Sequence, residues 1–411
     1  MSGKFLSKAI LFSLVIGANA FSGGVSAANV YELAPVVVTA TKTAESLEKV
    51  PASVSVVTAK DIEDHNYSST AQALGQLPGI YLSRVAGGGI SRGGCGWRDV
   101  LVMVDGQRVN DGWNGSVDWG MIPVQNIERI EVVRGAASSL YGGRAVGGVI
   151  QITTKENKED GLHGDVLLST GSNSTTKQVY DAKIKKDKWD VNVGYEKRKT
   201  DGWRGYFIEE RPGYNDISDP TVDADVGTSA RDRYIVGGRG RKAIDSESYH
   251  VKTTYHFNED KKLTYSYFHT NYNYAYNDPF SFIKDKDGKE IFYWHVNLPN
   301  GKYFDIYPGD FLGYVGQKEW AVHNLAYDDD KNQFHARIGL TDIKKDGYSS
   351  TGGPEESISA GDLQKWNGDG SQSFYPSKTK DFDMHKTWEL GQHTLLAGMA
   401  YRSESFDQTR Y

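Results

Sequence analysis

The sequence predicts an α+β domain followed by an antiparallel transmembrane β-barrel, and three observations carry that prediction. An export signal opens the 411-residue chain. A block of short strands, helices and glycine turns fills residues 43–155. From residue 160 onward, apolar and polar side chains alternate in one segment after another. A membrane-spanning strand shows lipid and lumen by turns, so a period of two is what it should display.

The signal comes first. Lys4 and Lys8 precede an apolar stretch from Ala9 to Ala20, and Val25-Ser26-Ala27-Ala28 offers a small-residue cleavage site. Residues 1–27 therefore read as a secretory signal peptide. Cys95 is the only cysteine, which excludes an intrachain disulfide, and it lies too far from the signal to anchor a lipid. Residues 28–42 follow, with the β-branched run Val36-Val37-Val38-Thr39. This run is extended by propensity but has no hairpin partner beside it. Two readings stay open: strand addition to a partner protein, or an edge strand of the next domain.

Within residues 43–155, Ala52 to Thr58 reads as a strand. Ser68-Ser69-Thr70 caps a helix from Ala71 to Leu77, which Pro78-Gly79 stops. Val100 to Val104 is a second strand, and Asp105-Gly106 turns it into Arg108-Val109. Ile127 to Val133 and Val149 to Thr153 complete the set. The glycines at 87–89, 93, 94 and 96 lack the strand-to-helix context of a dinucleotide loop. They read as a loop presenting Arg92, Trp97 and Arg98.

Beyond residue 160 the alternation is regular. Trp189, Val191, Val193 and Tyr195 share one face, as do Tyr249, Val251, Thr253, Tyr255 and Phe257. Segments near 180–184, 263–267, 334–341 and 395–402 repeat the pattern, each read as a spanning strand of about 9–11 residues. Connectors near 187, 259 and 329 are short, and those near 200–246, 272–317 and 346–378 are long. Short turns on one side and long loops on the other are the asymmetry of outer-membrane barrels.

Several function classes are excluded. With 47 basic and 53 acidic residues, the chain lacks the basic excess of a nucleic-acid binder. It carries no zinc-binding helix, phosphate loop or nucleophile elbow, so no catalytic residue and no resident metal site is assigned, and an enzyme is not expected. The acidic stretch Asp216, Asp219, Asp223 and Asp225 reads as a solvated loop.

Residues 122–155, IPVQNIERIEVVRGAASSLYGGRAVGGVIQITTK, resemble the plug signature of TonB-dependent outer-membrane receptors. PASVSVVTAKDI at 51–62, LPGIYLS at 77–83 and VLVMVDGQRVN at 100–110 match in the expected order, and ELAPVVVTATK at 32–42 looks like a TonB box. The sequence departs from the family at Ile90-Ser91-Arg92-Gly93, where Ser91 is inserted. The resemblance implies a plug over 43–155 and a barrel from 160 to 411 in the outer membrane of a Gram-negative bacterium. A full barrel of this kind has about 22 strands. The eight or nine candidates here lead to the expectation of an incomplete one.

The resemblance also implies site residues and partners. Val36, Val37, Val38, Thr39 and Ala40 would pair with TonB. Glu128, Arg129, Glu131 and Arg134 would pair with charges on the barrel wall. Arg92, Trp97 and Arg98 would face the ligand, with help from Arg108 and the loop aromatics Tyr272, Tyr274, Tyr276, Phe292 and Trp294. No cofactor would be held permanently. The partners implied are TonB, outer-membrane lipid and a small metal chelate, a ferric siderophore first. Cobalamin, haem, a toxin or phage receptor and a signalling transducer are the alternatives.

Overall fold

The computed structural model describes residues 36–37, 42, 45–46, 53–78, 80, 100–157, 159–204, 207–210, 234–292, 294–297, 303–311, 315–350 and 370–410. Val36–Val37 (β1) pairs antiparallel with Glu45–Ser46 (β2). Ser53–Thr58 (β3) then runs straight into the helix Ala59–Asp64 (α1). Thr58 closes a capping box there: its Oγ1 accepts from Asp61 N at 3.2 Å, and Asp61 Oδ2 accepts from Thr58 N at 2.8 Å. Ser69 caps the next helix, Thr70–Leu74 (α2), which ends at Gly75, earlier than the proline stop suggested.

Val100–Val104 (β4), Gln107–Arg108 (β5), Ile127–Arg134 (β6), the short helix Ser138–Tyr141 (α3) and Gly148–Thr154 (β7) complete this domain. Its sheet runs β3-β6-β7-β4-β5, and only β4 and β7 are parallel. Every residue of β4 is buried because both faces are covered. Val100, Val102 and Val104 join one core cluster, and Leu101 and Met103 join another with Val133 and Val149. The apolar spacing of β6 is irregular, with Ile127 and Ile130 three apart. A bulge between Ile127 and Arg129 absorbs the extra residue and puts both isoleucines in the same core.

The rest of the chain forms a meander. Its long strands are Gly161–Gly171 (β8), Thr175–Lys186 (β9), Trp189–Thr200 (β10), Arg241–His256 (β13), Lys261–Asn277 (β14), Val315–Asp329 (β18), Phe334–Ser350 (β19), Ser377–Leu390 (β21) and His393–Phe406 (β22). Each pairs antiparallel with the next long strand in the sequence, and the sheet remains open, with β8 and β22 at its edges. The polarity is inverted relative to a soluble protein. Asn192, Lys252, Thr254, Asn324 and Thr341 are buried, whereas Trp189, Val193, Tyr249, Leu325 and Ile338 are exposed. The polar face meets the first domain, and the apolar face is the one a bilayer would cover. Rings on that face pack across strands, Tyr180 stacked on Tyr195, and Tyr195 tilted against Tyr249 as Trp189 is against Tyr255.

These strands hold 11 to 17 residues, and all but β8 exceed the 9–11 the sequence reading assigned. Alternation fades where both faces leave the membrane, so pattern alone underestimates them. Between the long strands, two loops fold together. Phe207–Glu210 (β11), Tyr234–Gly238 (β12) and Phe280–Ser281 (β15) form one small sheet, and Trp294–Asn297 (β16) pairs with Tyr303–Ile306 (β17). With the turn Pro308–Phe311 (α4) they bury Ile208, Val236, Phe292, Phe304, Ile306 and Phe311. Gly370–Phe374 (β20) pairs with β19 and with Thr409–Arg410 (β23).

Candidate functional site: the plug seated against the wall

The first domain touches the wall through two tiers of polar contacts. The lower tier is the β4–β5 hairpin. Asp105 and Gly106 both take positive φ, 47° and 82°, as a two-residue hairpin turn of this hand requires. Asp105 accepts from Thr154 N at 2.9 Å and Thr154 Oγ1 at 2.6 Å, and Lys252 of the wall lies 3.7 Å away. Lys252 also reaches Glu156 at 3.2 Å. Burial alone would raise the Glu156 carboxyl, but the Lys252 and Lys262 ammonium groups hold it below the usual carboxylate range.

Gln107 is fully buried. It donates to Thr341 Oγ1 and Asp381 Oδ2, both at 3.0 Å, and accepts from Arg337 at 2.8 Å. Opposite it stands Gly339, where a Cβ would fall 1.7 Å from the Gln107 oxygen. The wall strand therefore has a pit into which the plug side chain fits. Arg108 lies beside it, 3.5 Å from Asp381, and donates to Tyr141 O at 2.5 Å. Burial, with Arg402 nearby, lowers its pKa to about 10, so it remains charged at neutral pH. Arg108, named from the sequence as a ligand residue, is thus paired with a carboxylate of the wall.

The upper tier is the loop from Asn110 to Met121. Asn110 holds it to β4: its Oδ1 accepts from Val102 N at 2.8 Å, and its Nδ2 donates to Val100 O and Gly115 O, both at 3.0 Å. Asp111 accepts from Trp113 N at 2.8 Å, so the turn presents Trp113, which is exposed and sits 4.9 Å from the Tyr375 ring. Two clasps fasten the loop, Asp111 to Lys345 and Asp118 to Lys318. Burial raises the Asp118 carboxyl, but Lys318 outweighs it and, with Lys242 and Lys345, holds it below the usual range. Lys242 and Lys318 lie over the Tyr274 ring at 4.6 and 5.4 Å.

The sequence-named residues fall in different places. Val36 and Val37 form β1; Val38, Thr39 and Ala40 lie outside the described residues, as do Arg92, Trp97 and Arg98. Lys42, just beyond, is fastened to the wall by Asp383 at 2.8 Å. Arg129 pairs with the buried Glu131 at 2.7 Å, inside the plug sheet. Arg134 donates to Pro78 O at 3.0 Å and to Ser55 Oγ at 2.9 Å, again within the plug. Glu128 is half-buried on the same strand. Most of the plug-to-wall contacts described here come from residues 105–118, with Lys42 and Glu156 beside them; the sequence reading named Asp105-Gly106 as a turn and Arg108 as a ligand residue, not as contacts with the wall. Nor are the aromatics all in loops: Tyr272 is buried in β14 against the plug, Phe292 is core of the loop module, and Trp294 is exposed.

A cavity of about 910 Å³ opens beside the lower tier, lined by Lys42, Arg129, Glu131, Tyr141, His385 and Arg402 among others. Among the described residues no group of His, Cys, Asp and Glu is arranged to hold a metal ion, and no helix is long and apolar enough to cross a membrane.

Comparison with known proteins agrees with this geometry. Residues 46–149 match the TonB-dependent Receptor Plug Domain. The chain is 30% identical over 261 residues to an iron-regulated outer membrane virulence protein of Vibrio cholerae, covering 56% of this chain and 38% of that protein. It is 34% identical over 188 residues to the Vitamin B12 transporter BtuB of the same species, covering 44% and 30%. Among solved structures, a mutant ferric enterobactin receptor, PfeA of Pseudomonas aeruginosa, superimposes with a TM-score of 0.58 at 19% identity, covering 90% of this chain and 51% of that one. The chain thus spans about half the length of the solved receptor and less of the curated relatives. Two of these relatives are named a transporter and a receptor, and none is named an enzyme. Residues 46–149 thus match the plug of TonB-dependent receptors, and the plug followed by an inverted antiparallel wall has the fold of the solved receptor.

Proposed function

We propose that the protein takes up an anionic metal chelate, a ferric siderophore first, through energy delivered by TonB at Val36 to Ala40. The observation that carries this reading is the upper tier. Lys242, Lys318 and Lys345 gather around one plug loop whose exposed apex is Trp113. Cations with a flat aromatic beside them suit a ligand that is both negatively charged and ring-bearing. The metal arrives as cargo, and no resident cofactor is needed. The names of the relatives support iron, through the virulence protein and the enterobactin receptor, and equally admit cobalamin, through the B12 transporters.

Competitive uptake separates the two. Cells carrying the gene should take up radio-iron as ferric enterobactin, and excess cyanocobalamin should leave that uptake unchanged. Val37→Pro should abolish uptake while leaving surface binding intact, because proline removes a main-chain donor that strand addition requires. Uptake of cobalamin alone would overturn the iron reading, and full uptake in the proline variant would overturn the TonB assignment.

A further inference from the structure

Around the cavity beside the lower tier the cations are matched with carboxylates, except at one end. Lys252 and Lys262 face Asp105 and Glu156, Arg129 faces Glu131, and Lys42 faces Asp383. Three guanidinium groups remain, Arg108 of the plug and Arg337 and Arg402 of the wall, and Asp381 is the carboxylate beside them. Asp381 does not suffice for all three. Its Oδ2 accepts from Gln107 at 3.0 Å, and its Oδ1 lies 3.5 Å from both Arg108 Nε and Arg402 Nε. Arg337 turns to the Gln107 oxygen instead, at 2.8 Å. The crowding is felt by Arg108, which burial and the neighbouring Arg402 lower to about 10. Buried donors are left over at the same place. Arg108 Nη1, Arg402 Nε and Ser138 Oγ find no hydrogen-bond partner among the described residues, and all three residues line this one cavity. Buried polar groups as a rule have partners. Water would satisfy the donors and leave the excess charge in place, whereas an anion answers both.

We propose that this end of the cavity is a binding site for a small oxyanion of the phosphate kind, held by Arg108 and Ser138 of the plug and Arg402 of the wall. Guanidinium forks present paired N–H groups at the spacing of oxyanion oxygens, and the serine hydroxyl adds one more donor. Bound there, the anion supplies the negative charge that Asp381 alone leaves short. It also ties plug to wall through its own oxygens, so the seating of the hairpin depends on the anion as well as on Gln107. The site shares no residue with the upper tier, and it stands whichever chelate the receptor carries.

The test is equilibrium dialysis of the detergent-solubilised receptor against radiolabelled inorganic phosphate, at fixed ionic strength in chloride. The parent receptor binds phosphate saturably, sulfate competes, and added chloride does not. Arg402→Gln removes one guanidinium and weakens binding by about tenfold or more, as the loss of a charge-assisted hydrogen bond does. Ser138→Ala removes only a hydroxyl and weakens it by about threefold, so it decides the matter should the arginine variant not fold. Lys378→Gln, at an exposed lysine outside this cavity, leaves binding unchanged. A parent receptor without saturable phosphate binding overturns the site, as does binding that neither Arg402→Gln nor Ser138→Ala weakens. An equal loss in Lys378→Gln reduces the effect to general screening and overturns it too. Competition by chloride as strong as by sulfate overturns the oxyanion assignment. Displacement of the phosphate by ferric enterobactin overturns the claim that the site is separate from the chelate's.

Discussion

At the scale of single residues, the seating of Gln107 opposite Gly339 is the sharpest fit between plug and wall. Any side chain at 339 collides with the Gln107 amide, so Gly339→Ala should cost about 1–3 kcal/mol, as overpacking does elsewhere. Trimming the intruder relieves the clash, so Gly339→Ala combined with Gln107→Ala should cost less than the two single changes added together. Thermal unfolding of the receptor in detergent measures this, and simple additivity would mean that the pit is not a specific fit. Asp118 yields a pH prediction. Its folded pKa is depressed, so its clasp adds stability at all pH above the ordinary carboxylate value of about 3.9 and loses it as pH falls through the lowered value. Loop mobility at residue 118 should stay constant from neutral pH down to about 5 and rise only in stronger acid. A rise near pH 6 would point to another titrating group. The Asp105-Gly106 turn was legible in the sequence because its chemistry is local. Its docking was not, since it depends on wall residues such as Asn324 and Arg337, more than 200 positions away.

At the scale of elements, local signals were read unevenly. The serine cap on α2 was recognised. The more complete, reciprocal box Thr58-Ala59-Lys60-Asp61 was passed over because α1 follows β3 without a loop. The long strands were legible as strands, since a period of two survives whichever face is lipid. Their lengths were not, because the same alternation weakens past the membrane surface. The inverted polarity makes the outer rows sensitive to charge. Val193 sits exposed in the row with Val251 and Tyr267, so Val193→Lys should destabilise the folded receptor by about 2–4 kcal/mol, the range for a lysine near the bilayer midplane. The same change at the neighbouring buried Asn192 faces the lumen and should be judged by lost plug contacts instead. Urea titration in lipid vesicles compares them, and a neutral Val193→Lys would place that row outside the membrane.

At the scale of the molecule, the fold class and the order of plug before barrel were both visible in the sequence, because motifs at 51–62, 100–110 and 122–155 are short and ordered. What joined the two parts was hidden. The sequence reading looked for plug-to-wall charges on β6, where the signature is densest, and the structure puts Arg129, Glu131 and Arg134 to work inside the plug sheet. A signature marks where a domain's own architecture is constrained, which need not be where it meets its neighbour. The wall has a simpler logic: each long strand pairs with the next one along the chain. Its natural increment is therefore one hairpin, two strands and a short turn. A duplication or loss of one such unit re-forms the same edge for the next strand and disturbs no pairing elsewhere. A wall built this way tolerates change in steps of two strands better than the plug does, because the plug's sheet joins strands far apart in the chain.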